Sequence, residues 1–322
     1  GEPTRDLIRH RLQQYAEVGV RQFLIYPRSG CEIPYMSDQW LEACRNVVEC
    51  AEELDMDVWL YDEFNWPSGR CDGKVMEGHP EFCAKTLAGT KTKEGMAWEV
   101  TSIPEHADLL SPAAMRRFMA LTHKRYEEHL SDYFGRRIKG IFTDEPSFKY
   151  GRSQTGDGTR LKLPYYDGIE EDYTEATGRN FRDDLSRAMH GEEVEGLWPA
   201  FYGLLGKQFQ AAFFDPIREW CDRYGMVSTG HLMSEVPPVS SVNSSGTPLA
   251  CLRGLPLPGI DDIHTCVSFD RAEWGTLLLE RNATAKNGRG GLAELFALGP
   301  ADMPFGKLRQ MIWLAALHGV SE

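Results

Sequence analysis

Along the chain, stretches in which apolar residues return every three or four positions alternate with short runs that are apolar throughout. The first rhythm is that of an amphipathic helix, the second that of a strand buried on both faces. Residues 4–18 predict a helix that leads through Gly19 into VRQFLIYPRSG. Residues 38–54 set Trp40, Leu41, Cys44, Val47, Val48, Ala51 and Leu54 on one helical face and feed MDVWLYDEF. Ser111-Pro112 reads as an N-cap followed by proline at the first helical position, and its helix runs toward Tyr133 before IKGIFTDEPS. Residues 200–223 predict another helix, ending at Gly225 before MVSTGHLMSE. GIDDIHT is a weaker strand. A helix over 272–287 precedes GGLAELFALG, and 304–317 is helical again before Val320.

This alternation predicts a parallel sheet covered by helices, with five clear strands, the weaker sixth, and a last one starting at Val320. The unit keeps repeating without a glycine-rich phosphate loop, which favours a (β/α)8 TIM barrel over an open doubly wound sheet. On that reading the first barrel strand lies before Gly1 and the last has barely begun at Glu322. The expectation is therefore a single catalytic barrel domain over 1–322, lacking its first strand and most of its last, from a longer multidomain protein. Three segments break the rhythm: 71–110, which reads as a small β excursion; 149–198, polar with a helical piece at EEDYTEATG; and 236–258, rich in Pro, Ser and Gly. All three follow strand ends, where a barrel carries its substrate loops.

Composition adds exclusions. The 322 residues are 42% hydrophobic and 26% charged, as in soluble globular proteins. Thirty-five basic against 48 acidic residues leave a net charge of −13, which argues against nucleic acid or an anionic membrane as partner. No apolar run approaches the roughly 20 residues that span a bilayer. The eight cysteines form no C-x-x-C pair, and most read as reduced structural thiols, which leans weakly toward the cytoplasm. A signal peptide removed before Gly1 would leave export or a periplasmic location open.

Candidate chemistry sits at the strand tips. VWLYDEFNWPSGR ends a buried strand in Asp62 and Glu63, and TDEPS ends another in Asp144 and Glu145. GHLMSE supplies His231 and Glu235, and Glu294 lies among apolar residues in GGLAELFALG, where a charge is costly unless used or paired. A barrel gathers such dispersed positions on one rim. Carboxylates with few cations suit glycoside hydrolysis, which needs an acid and a carboxylate about the scissile bond. They also suit a divalent metal held by oxygen ligands. Trp59, Tyr61, Phe64, Trp66 and Tyr26 are either sugar-stacking platforms or packing; packing suits Trp59, and sugar contact suits Trp66 in its turn. His10, His123, His129, His190 and His318 lack ligand spacing and read as structural.

YPRSG, VWLYDEFNWPSGR, GIFTDEPS, GHLMSE and GGLAELFALG, in that order, resemble the barrel domain of glycoside hydrolases related to family 106, the α-L-rhamnosidase-like group. The resemblance implies Glu145 as general acid and Glu294 as its catalytic partner. Asp62, Glu63, Trp66, Asp144, His231 and Glu235 would then bind the sugar or a cation. Retaining barrel glycosidases usually carry Asn where Asp144 stands, so this departure leaves room for a bound Ca²⁺ or an inverting route. The expected partner is a carbohydrate; no cofactor is expected to be required, with Ca²⁺ as the candidate. Two rivals stay open: a metal-dependent isomerase or hydrolase on the same rim, and a glycan-binding module without catalysis.

Overall fold

The computed structural model describes residues 3–149, 153–154, 158–235, 238–263, 274–285, 288–296, 298 and 302–322. Its strands are β1 (Gln22–Ile25), β2 (Asp57–Tyr61), β3 (Cys83–Thr92), β4 (Gly95–Ala107), β5 (Ile138–Asp144), β6 (Ser153–Gln154), β7 (Arg160–Tyr165), β8 (Val227–His231), β9 (Leu257–Asp262) and β10 (Leu292–Leu295). Six of them form a parallel sheet in the order β1-β2-β5-β8-β9-β10. Val320 bridges Gly291 in parallel beyond β10, where the last strand is expected to start. The sheet curls: the Gln22 side chain at one edge donates to Glu322 at the other. The result is a curled six-stranded half-barrel rather than a complete (β/α)8 ring.

The cap expected at Ser111 forms, and the helices predicted over 4–18 and 38–54 are capped in the same way. Thr4, Ser37 and Ser111 each accept a hydrogen bond from the backbone N–H three residues on. Two predicted helices are interrupted. The one after Ser111 breaks at Thr122 into Pro112–Leu121 and His123–Leu130. The Thr122 hydroxyl donates back to the Phe118 carbonyl at 2.9 Å and sits 2.7 Å from His123 Nδ1, competing with the helical ladder. His123 is buried edge-on to Trp220, and burial takes its pKa down to about 3, as suits a packing histidine. The second runs as Leu197–Phe209, a π-helical turn Gln210–Phe214, and Asp215–Arg223. Pro216, without an N–H to donate, sits where regular helix resumes.

Two of the three interrupting segments meet. β3 and β4 form an antiparallel hairpin, and β7 from the second segment pairs with β3, giving a four-stranded sheet β4-β3-β7-β6. The third segment, expected as a loop, carries the short helices Pro238–Ser245 and Pro248–Arg253 before β9. The weak strand GIDDIHT corresponds to β9, which begins two residues earlier; its last two residues lie outside the described residues, as do both ends of the predicted 272–287 helix. The described cysteines are all free, with Cys266 outside that set. No helix among the described residues is long and apolar enough to cross a membrane.

Close packing in the half-barrel depends on Gly140 in β5. A Cβ there would lie 2.0 Å from the Val227 carbonyl and 2.5 Å from the ring of Trp59, which packs over it. The Trp59 indole N–H meanwhile donates to Gln22, the packing role expected of it. Gly140→Ala is expected to destabilise the fold by about 1–3 kcal/mol through overpacking, read as a lower urea midpoint at unchanged slope.

Candidate active site

The rim carboxylates divide by exposure. Asp62 and Glu63, at the tip of β2, are 0% exposed. Glu63 accepts five backbone N–H groups, from Phe64, Gly69, Arg70, Cys71 and Asp72, at 2.7–3.2 Å. Burial raises its pKa and those donors oppose the rise. Asp62 accepts the Ser68 hydroxyl at 2.6 Å, and the same oxygen of Ser68 accepts the N–H of Asp144 at 2.8 Å. In this structure the two carboxylates expected to meet a sugar at the tip of β2 are enclosed instead. With their oxygens turned inward, they fold the NWPSG loop and tie it to β5. That loop does expose Trp66, at 48%.

Asp144, His231 and Glu294 come together, with one side-chain N or O atom from each within 4.8 Å of the others. His231 Nε2 lies 3.1 Å from Glu294 Oε2 and 3.6 Å from Asp144 Oδ1. Burial alone would lower the His231 pKa, but the bond to Glu294 and the charges of Asp144, Glu235 and Asp261 outweigh it and lift it to about 10. The imidazolium in turn holds Glu294 below its ordinary value. Asp144 moves upward through burial, opposed by His231 and by the Tyr61 hydroxyl, 2.5 Å from its Oδ2. That hydroxyl has one proton yet also lies 2.6 Å from the Asn65 carbonyl. Tyr61 can give that proton to one of the two at a time, which couples the tip of β5 to the loop after β2.

Glu145 is the next residue, half-buried, in the left-handed region at φ 46°. A non-glycine residue held there costs about 1–3 kcal/mol, a strain concentrated at functional sites. Burial raises its pKa to about 7, with His231 opposing and Asp144 and Asp261 adding. Glu235 is buried and accepts the N–H groups of Leu232 and Asp261 at 3.2 and 2.8 Å, with its pKa near 8 for the same reason. Of the eight expected site residues, then, Glu145, Glu294 and Trp66 keep solvent access, while Asp144, His231 and Glu235 back them from the interior. A cavity of about 280 Å³ is lined by Glu294, Asp144, Tyr26, Tyr61 and Phe142.

Against solved structures, the chain resembles a rhamnosidase from Novosphingobium sp. PP1Y, with a TM-score of 0.61 at 10% identity over 98% of this chain and 53% of that one. The fold is glycoside-hydrolase-like. The chain thus spans about half the length of that rhamnosidase. Weaker matches are the β-glycosidase BGL167 (TM-score 0.41, 12% identity, 98% of this chain and 73% of that one) and a GH20 exo-β-N-acetylglucosaminidase from Vibrio harveyi (0.33, 13%, 94% and 46%). Protein-family models and curated proteins give no match.

The Asp144–His231–Glu294 trio is the metal-compatible group among the described residues. Calcium takes about six to eight oxygen ligands. This trio offers two carboxylates and a nitrogen already hydrogen-bonded to one of them, so it does not fit calcium; an imidazole-accepting metal such as zinc suits it better. Reading the sequence for site residues missed Asp261, which acts on Glu145, His231 and Glu235 from β9. Its signal was present, an acidic pair ending a weak strand. It also missed Arg28, in the quoted YPRSG.

Proposed function

We propose that this chain is the catalytic barrel of a glycoside hydrolase. The observation that carries the proposal is a split pair of carboxyl groups: Glu145 raised to about 7, Glu294 held low by His231, both open to solvent. Glu145 gives its proton to the glycosidic oxygen as the C1–O bond breaks. Glu294 then either takes a proton from the water that attacks C1 or attacks C1 itself, water later releasing the sugar. The likeness to a rhamnosidase supports α-L-rhamnoside as the substrate to try first, and the half-exposed Trp66 supports a sugar ring as ligand. The test is aglycone release from a broad panel of aryl glycosides, with the first-formed anomer followed by proton NMR. Inversion assigns Glu294 as base and retention assigns it as nucleophile. No release from any member, by folded protein, overturns the proposal.

The pH dependence follows from the two shifts. Glu145 acts while protonated, so activity is present below about pH 7 and lost as pH rises through that value. Glu294 acts while ionised, so activity is lost only as pH falls below the ordinary carboxylate range. His231 lowers both groups. His231→Asn is therefore expected to move both limbs of the kcat/KM profile to higher pH; unmoved limbs would contradict this account.

The Asp144–His231–Glu294 cluster supports a second reading, a metal-dependent hydrolase on the same rim. A metal there would take the place of any proton between His231 and Glu294, so chelation separates the two readings. On the glycosidase reading, treatment with EDTA is expected to leave turnover unchanged. Abolition by EDTA and recovery with zinc would favour the metal enzyme.

A further inference from the structure

Arg28 is exposed and contacts two aromatic rings, its guanidinium carbon 4.1 Å from the Tyr26 ring centre and 4.8 Å from that of Trp66. Tyr26 rests in turn on Tyr61, ring centres 4.2 Å apart, and both line the cavity with Glu294 and Asp144. The mount is rigid. Residues on either side of Arg28 bond to Asn65: the Asn65 N–H donates to the Pro27 carbonyl at 3.1 Å, and its side-chain oxygen accepts the Ser29 N–H at 2.8 Å. Asn65 adjoins Trp66, so the loops carrying both ends of the stack are fastened together.

Stacking occupies the faces of a guanidinium and leaves its N–H edge for a planar acceptor. Were Arg28 there to neutralise the rim, it would pair with one of its carboxylates. Its charge does reach Glu294 and Asp144, lowering both. Yet it makes no side-chain hydrogen bond or ion pair with any described residue. An exposed guanidinium without an ion pair, beside a carboxylate-rich cleft, suits a planar carboxylate, which it can hold by two parallel hydrogen bonds. Elsewhere on this rim, in a chain of net charge −13, an anionic group would be repelled.

We propose that Arg28 sets specificity by reading the carboxylate of a hexuronate unit next to the scissile bond. This rests on the glycosidase reading and adds the substrate class. Seating the carboxylate on Arg28 would aim the glycosidic bond at Glu145 and Glu294, and Trp66 would serve as the back of the guanidinium as well as a wall for the sugar.

The test compares binding of methyl glucuronides and galacturonides, both anomers, with the matching neutral methyl hexosides by titration calorimetry. The protein, Arg28→Ala and Arg28→Lys are used, each checked by thermal melting. A charge-assisted bidentate contact is expected to favour at least one uronide over its hexoside by about ten- to a hundredfold. Arg28→Ala should bring that ratio close to one, and Arg28→Lys should keep part of it, a point charge without the fork. A ratio near one in the unmodified protein, a ratio retained in Arg28→Ala, or no binding of any uronide overturns the proposal. The two readings fail separately. Hydrolysis of neutral glycosides with a ratio near one keeps the glycosidase and removes this role of Arg28. A uronide preference lost in Arg28→Ala, without hydrolysis of any glycoside, keeps the role and removes the glycosidase.

Discussion

Glu145→Gln is expected to lower kcat by about 10²–10⁴-fold on glycosides with poor leaving groups, the usual contribution of a positioned general acid. The amide keeps the shape and the left-handed backbone at φ 46° but has no acidic proton to give. The loss should shrink sharply with substrates whose leaving group departs as a stable anion, because those need no proton. A merely structural defect would not sort substrates this way. The alkaline limb near pH 7 should vanish with the residue that causes it. Near-normal turnover on poor leaving groups, in a variant that melts like the parent, would remove Glu145 from the mechanism.

Glu294→Ala is expected to lose about as much, 10²–10⁴-fold or more, across leaving groups of every kind, since the attacking or water-activating group is gone. The space it leaves should admit azide, and recovery of turnover with formation of a glycosyl azide would mark the vacated position. His231 provides an independent readout. The bond to Glu294 is the largest influence raising its pKa, so its imidazole should titrate well below the present value near 10 in this variant. An unshifted imidazole would mean that the 3.1 Å contact is not what sets the two charges.

The helix starts at Thr4, Ser37 and Ser111, the order of the parallel strands and the carboxylates at their tips were all legible locally. Each depends on neighbours in sequence: a hydroxyl three residues before an N–H, an apolar period, or a strand that ends where polarity returns. The roles of those carboxylates were not. Asp62 and Glu63 look like the best-advertised pair in the chain, yet one holds Ser68 and the other gathers five N–H groups of its own loop. Glu145 and Glu294 acquire opposite shifts because burial dominates at one and an imidazolium from β8 contacts the other. No local pattern encodes that, since desolvation and Coulomb interaction act through space. The antiparallel sheet needed the same kind of information, because β3 finds β7 across an intervening barrel unit. So did the Arg28 stack, built when Asn65 draws two loops together. Short-range backbone physics thus lays out the strands and their tips, while contacts between distant segments decide which tips are buried, which are charged, and which remain open to a ligand.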